Sequence, residues 1–185
     1  MTHSQRSWTV LLLCGASGTG KSYLANQLAR HEQVNVLGID DIGLALKAVT
    51  TADVLPALHS GADWLEIGVA RNVDWLLRVG KELMPALRAI IKDHLQSGDP
   101  IIIEGDFLDM DLAHMFPAPQ VKTLVVCEPS LDQIVQNYLA REGGDLQQYR
   151  AEISSAFSKH LADLCETRCI PCIEARPWDT ALQRA

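Results

Sequence analysis

No lysine- or arginine-rich block occurs anywhere in the 185 residues, and the formal net charge is −7. Affinity for nucleic acid comes largely from neutralising phosphates, so an acidic chain without a basic stripe does not read as a nucleic-acid binder. No apolar run approaches the roughly 20 residues that a membrane-spanning helix needs. Met1 to Ser7 is too short and too polar to read as a secretion signal. These absences lead to the expectation of a soluble, cytoplasmic protein with no membrane and no nucleic acid among its partners. Internal repeats and low-complexity tracts are missing too. The length suits a single domain, and an apolar content of 48% is enough for a sizeable core.

Cysteines are few, five in all. Cys14 and Cys127 lie in apolar strand-like runs and read as small core residues. Cys165, Cys169 and Cys172 make C-x3-C-x2-C, a spacing that can hold an iron–sulfur cluster. Too few residues follow Cys172 for the barrel that normally surrounds such a cluster. A zinc site would need a fourth ligand, and His160 is the only nearby candidate. Cys169 to Ile173 reads instead as a strand entering the core, with ordinary reduced thiols.

What is present near the start is far more specific. Gly15-Ala16-Ser17-Gly18-Thr19-Gly20-Lys21-Ser22 satisfies G-x-x-x-x-G-K-[ST] at every fixed position. The apolar run Trp8 to Cys14 before it reads as a buried strand. Tyr23 to Arg30 after it reads as a helix, with Leu24 and Leu28 on one face. Strand, glycine loop and helix are the setting this P-loop needs. Its glycines let backbone N–H groups turn inward, and with the helix N-terminus these form an anion site. Lys21 reaches the β- and γ-phosphates of a nucleotide as a point charge, and the Ser22 hydroxyl is a ligand for Mg²⁺.

The rest of the chain alternates strand and helix, which predicts an α/β fold, a parallel sheet covered by helices on both faces. Strands are expected at 34–39, 100–105, 121–127 and 169–174. A short helix is expected over 42–48, and 50–64 reads as irregular. A long helical stretch over about 66–96 should be kinked or divided by Pro85. Helices are expected over 130–141 and 146–166, with Gly143-Gly144 between them, and a short one over 178–184.

Ligands of such a sheet bind at the carboxyl ends of its strands. Carboxylates arrive there from separate strands: Asp40 and Asp41 after the second, Glu104 at the end of the third, and Asp106 two residues on. One acid can take a proton from an acceptor hydroxyl, and another can hold Mg²⁺ directly or through water. Asp40 is the first candidate for the base, and Asp41 is the alternative; either can also cap the next helix. Glu104 is the candidate for the Mg²⁺ or water-orienting role, with Asp106 behind it. Positive charge on the migrating phosphoryl group commonly comes from a mobile lid. The segment 138–150 has this character, with Arg141 beside a glycine hinge as first candidate and Arg150 as second. An arginine there also complements the helix dipole. Arg176, after the fifth strand, is placed to stack on a nucleobase, whereas Trp178 reads as packing. The acceptor region is expected over about 42–78, which contains His59, Trp64 and Arg71.

Gly15 to Ser22, Gly38-Ile39-Asp40-Asp41-Ile42, and Leu83 to Leu87 leading into Ile101-Ile102-Ile103-Glu104-Gly105 together resemble the P-loop small-molecule kinases. The nearest set is 2-phosphoglycerate-kinase-like, related to chloramphenicol phosphotransferases, zeta-type toxin kinases and gluconate or shikimate kinases. The resemblance spans roughly 10–107 and weakens beyond. It implies a five-stranded sheet of order 2-3-1-4-5, ATP as donor, Mg²⁺, a small-molecule hydroxyl acceptor and Asp40 as base. One departure matters: the group often carries an arginine three residues after that aspartate, where this chain has Gly43, and Lys47 is the first cation of that helix. The departure favours a less acidic acceptor, or a different cation to grip it.

The reading is therefore an ATP-dependent kinase, monomeric or homodimeric, with Lys21, Asp40 and Arg141 in catalysis. Its rivals are a nucleotide-hydrolysing regulator, a toxin-type kinase of a nucleotide sugar, and an inactive kinase fold used as a binding module. No N/T-K-x-D motif is present, which argues against guanine nucleotides.

Overall fold

The computed structural model describes residues 6–60 and 68–185. Trp64, and the expected start of the long helix near Glu66, lie outside the described residues. Strands β1 (Val10–Cys14), β2 (Asn35–Gly38), β3 (Ile101–Gly105), β4 (Val121–Cys127) and β5 (Cys172–Glu174) form one parallel sheet in the order β2-β3-β1-β4-β5. This is the order expected from the resemblance.

The apolar strands are explained by burial on both faces. Alternate residues of a strand point to opposite sides. Val10, Leu12, Ile101 and Ile103 therefore enter one core cluster, and Leu11, Leu13 and Ile102 enter the other. The first cluster is covered by α4 (Val69–Ser97) and α6 (Gln148–Arg168), the second by α1 (Lys21–Glu32) and α7 (Ala181–Arg184). The remaining helices are α2 (Ile39–Val49), α3 (Pro56–His59) and α5 (Leu131–Glu142).

Several boundaries differ from the sequence expectation. Helix α2 starts at Ile39 rather than Ile42, directly after the strand, because the Ile39 side chain is fully buried against Gly105. Asp40 and Asp41 thus occupy the first turn of α2, where negative charge is favoured by the helix dipole. The stretch expected to be irregular carries α3, whose free Ala57 and Leu58 N–H groups donate to Glu82 at 2.8 and 2.9 Å. Pro85 does not divide α4. It sits on the exposed face, and the Lys81 carbonyl that loses its helical partner is on an exposed residue too. Strand β5 begins at Cys172, three residues late. Cys169 takes a left-handed conformation (φ 54°) as the C-cap of α6.

Helix α4 is seated against the turn after β3. A methyl group at Gly80 would lie 2.7 Å from the Phe107 carbonyl oxygen, so only glycine lets the helix approach this closely. Phe107 also meets Trp75 edge-on at 5.9 Å. Helix propensity alone favours Gly80→Ala by about 1 kcal/mol. We expect the opposite: overpacking against backbone destabilises by about 1–3 kcal/mol. Urea denaturation of the variant decides between the two signs.

Candidate active site

The loop between β1 and α1 is held open by what surrounds it. Gly15 lies so close to β4 that a methyl group there would be 2.5 Å from the Val126 carbonyl oxygen. Gly20 has φ 95°, and a methyl group on it would lie 2.5 Å from the Trp178 ring. Thr19, almost fully buried, closes the turn by donating its hydroxyl to the Ala16 carbonyl at 2.8 Å. Asn137 on α5 donates to the Gly18 carbonyl at 2.8 Å. With these two carbonyls engaged by Thr19 and Asn137, and no side chain capping the N-terminus of α1, the first-turn N–H groups remain available to an anion.

The third strand meets the loop because β3 pairs directly with β1, Leu13 with Glu104 and Cys14 with Gly105. Ser22 Oγ lies 3.2 Å from each Glu104 oxygen. The Lys21 ammonium forms an ion pair with Asp106. Burial pulls the Lys21 pKa down, but Asp106 beside it, then Glu104 and Asp40, more than offset this and hold it above the ordinary value. Glu104 is pushed above the usual carboxylate range chiefly by burial, with Asp106 and Asp40 adding to the effect against Lys21 and Ser22. Asp40 is raised for the same reasons: loss of water first, then Asp106 and Asp41 against the attraction of Lys21 and Arg141. The structure thus brings Lys21, Ser22, Asp40, Glu104 and Asp106 within electrostatic reach of one another. Gly43, where the resembled group often has arginine, is buried, and a methyl group there would lie 3.6 Å from the Leu58 side chain of α3, an ordinary contact.

The lid candidates are partly committed elsewhere. Arg141 is half-exposed and bonded to Glu142, with its guanidinium 5.2 Å from the Tyr138 ring. Arg150 donates to the same carboxylate at 2.8 and 3.1 Å and lies 4.3 Å from the same ring. Hydrogen bonds from Gln147 and Arg141, with both arginine charges behind them, pull Glu142 down to about 2. Gly143 and Gly144 follow with φ 67° and 75°. Arg176 is clamped to the buried Glu128 by two bonds of 2.7 and 2.8 Å. It does not border the pocket that opens beside the loop. That pocket, about 500 Å³, is lined by Gly20, Lys21, Tyr23, Asn137, Arg141 and Trp178, among others. Tyr23 and Trp178 meet edge-on at 5.0 Å. His59 is hydrogen-bonded to Thr50 at 3.1 Å, and Arg71 is exposed.

Among the described residues no group of three histidine, cysteine or acidic side chains is arranged as a metal site, and no helix is long and apolar enough to cross a membrane.

The family model for an AAA domain matches residues 10–164. The chain belongs to this P-loop family. No curated protein matches it in sequence. Among solved structures, a gluconokinase from Sinorhizobium meliloti 1021 superposes with a TM-score of 0.54 at 15% identity, covering 97% of this chain and 90% of its own. A sugar kinase from Janibacter sp. gives 0.56 at 18%, covering 96% and 91%. Shikimate kinase from Acinetobacter baumannii, solved with shikimate, gives 0.54 at 15%, covering 96% and 89%. At these identities the likeness is one of fold.

Sequence reasoning missed two residues of the loop's surroundings. Asn137 sits mid-helix with nothing in the local pattern to mark it. Trp178 was legible only as packing, yet it both packs on Gly20 and lines the pocket.

A carboxyl group whose native pKa is raised binds more protons than the unfolded chain between its two pKa values, so stability falls as pH rises through that window. For nucleotide-free protein, Glu104→Gln is therefore expected to melt higher than wild type near pH 7. The gain should vanish as pH drops toward the ordinary glutamate value of about 4.3. Scanning calorimetry across this range checks it; a difference independent of pH contradicts the assignment.

Proposed function

We propose that this chain is a single-domain ATP-dependent kinase that moves the γ-phosphate to a hydroxyl of a small molecule. The observation that carries the reading is the pairing at the mouth of the P-loop: Lys21 on Asp106 and Ser22 on Glu104, with Asp40 close enough to interact with Lys21, Asp106 and Glu104. A phosphate-binding loop facing several carboxylates is the arrangement phosphoryl transfer needs and a plain anion site does not.

The donor set suits Mg²⁺, which takes hard oxygen ligands and is usually held by one or two protein groups together with substrate phosphates. Ser22 and Glu104 are its ligands in this reading. Asp106 is the lesser candidate, since its carboxylate already serves Lys21. Bound there, Mg²⁺ neutralises charge on the phosphate oxygens. Lys21 exchanges Asp106 for the β- and γ-phosphates. Arg141, which already lines the pocket beside the loop, leaves Glu142 to cover the γ-phosphate. Asp40 accepts the acceptor's hydroxyl proton as that oxygen attacks the γ-phosphorus. The bond to the bridging oxygen breaks, and ADP leaves. A carboxyl pKa raised above the ordinary aspartate value makes Asp40 a better proton acceptor. Trp178, which lines the pocket, is the ring presented to the nucleobase, whereas the Arg176 guanidinium is held by Glu128.

The acceptor region is assigned to 42–78. Three structures of like fold are named for gluconate, a sugar and shikimate, which supports a small hydroxyl compound as acceptor. The buried Gly43 supports one less acidic than 2-phosphoglycerate.

The test is a γ-phosphate transfer screen over sugars, glycerate derivatives, nucleosides, antibiotics and nucleotide sugars, with an acceptor-free control. Lys21→Ala should abolish turnover. Asp40→Asn should keep ATP binding and lose transfer by about 10²–10⁴-fold. Full transfer by Asp40→Asn removes the base assignment. Equal ATP hydrolysis without any acceptor replaces the kinase by a nucleotide-hydrolysing regulator.

A further inference from the structure

The proposed chemistry uses none of the cysteines, yet three of them gather behind the carboxyl edge of β4, and they are not the trio that the sequence spacing suggests. Cys127 ends β4 and Cys172 opens β5. The register pairs Cys127 with Glu174 and Val125 with Cys172. Alternate residues of a strand share a face, so Cys127 and Cys172 are diagonal neighbours on the same side of adjacent strands. Cys165, near the end of α6, belongs to the same core cluster as Cys127. The thiols of Cys127 and Cys165 are close enough to that of Cys172 to bias its ionisation. Cys169 has no part in these contacts.

Access differs sharply among the three. Cys172 is exposed, whereas Cys127 and Cys165 are buried. Cys127 and Cys172 both line a surface pocket of about 520 Å³, together with Ser158 and Lys159, and Cys165 does not. A small molecule entering that pocket reaches Cys172 first and finds Cys127 behind it. The ionisation of the thiols follows the same order. Interaction with Cys127, and then with Cys165, holds Cys172 below the ordinary thiol value. The same contact with Cys172, followed by burial, pushes Cys127 well up, and burial raises Cys165 to about 12. The thiolate is the nucleophile in disulfide exchange, so Cys172 attacks first.

We propose that Cys172 and Cys127 form a reversible disulfide, with a low-molecular-weight disulfide as oxidant. The Cys172 thiolate attacks one sulfur of the oxidant, forming a mixed disulfide and releasing one thiol. Cys127 then gives up its proton and attacks the Cys172 sulfur. The protein disulfide forms, and the second thiol of the oxidant leaves. Two electrons pass from the two cysteines to the oxidant, which is reduced to two thiols. The bond draws the end of β4 toward the start of β5. Val126, whose carbonyl seats Gly15, and Glu128, which clamps Arg176, flank Cys127 on either side. Closing the bond therefore disturbs the floor of the P-loop and weakens nucleotide binding.

The experiment incubates the full chain with glutathione disulfide, quenches in acid, alkylates the remaining thiols and maps the peptides. A Cys127–Cys172 linked peptide that disappears with dithiothreitol is expected. A mixed disulfide at Cys172 with Cys127 still free to alkylate, or a bond from Cys172 to Cys165 or Cys169, overturns the proposal. Binding of a fluorescent ATP analogue is then compared between oxidised and reduced wild type, with Cys172→Ser treated alike. Weaker binding only in oxidised wild type is expected, and unchanged affinity in a sample whose bond is mapped overturns the coupling to the P-loop. The mapping stands apart from the kinase reading: reduced protein that binds no nucleotide defeats that reading alone.

Discussion

The buried ammonium of Lys21 is the constraint around which the rest is organised. A cation taken out of water either finds an anion or loses its charge. Here Asp106 supplies the anion, and it is on hand because β3 runs beside β1 and ends level with it. The P-loop and the turn after β3 are thus one electrostatic unit. Glu104 and Asp40 add further negative charge, which explains how the lysine stays protonated while both carboxyls are raised. Such a site holds an excess of acid around one cation, an imbalance that Mg²⁺ and a polyphosphate together resolve in the proposed reaction.

Backbone packing does the rest. The loop is pressed from below by the Val126 carbonyl, from the α5 side by Asn137, Ile134 and Tyr138, and from the β5 side by Trp178. Tyr138 is fully buried, shares a hydrogen bond of 2.7 Å with Ser154 on α6, and carries both arginines over its ring. Helix α5 therefore supports the phosphate loop at one turn and carries the lid candidate Arg141 at the next. Tyr138 thus lies against both the arginine and the Gly18 turn of the loop.

The structures of like fold share this scaffold at 15–18% identity. A scaffold supports many acceptors, so function is argued from the site and not from the superposition. The distinctive local feature is at Gly43. Its position on α2 is packed by α3, and α3 is pinned by Glu82 and by the Trp75 indole N–H donating to the Ala57 carbonyl at 2.8 Å. The α3 segment packed on Gly43 is thus fixed by hydrogen bonds to its first turn from α4.

The P-loop, the parallel sheet and the run of central strands were written in the sequence, because each depends on local spacing: a glycine pattern, alternating strand and helix, continuous apolar segments. The strand order also followed, through the resemblance carried by Gly15 to Ser22, Asp40 and Glu104. Contacts between residues far apart in the chain were decided only by folding. Nothing near Asp106 announces that it neutralises Lys21, nothing near Asn137 announces that it holds Gly18, and Arg176 was read without its partner Glu128. The cysteines make the same point. Spacing grouped Cys165, Cys169 and Cys172, but a helix cap turned Cys169 away and strand pairing brought in Cys127. Local chemistry is set by neighbours in sequence, whereas charge compensation and thiol contact depend on neighbours in space, which the register of the sheet and the docking of its helices select.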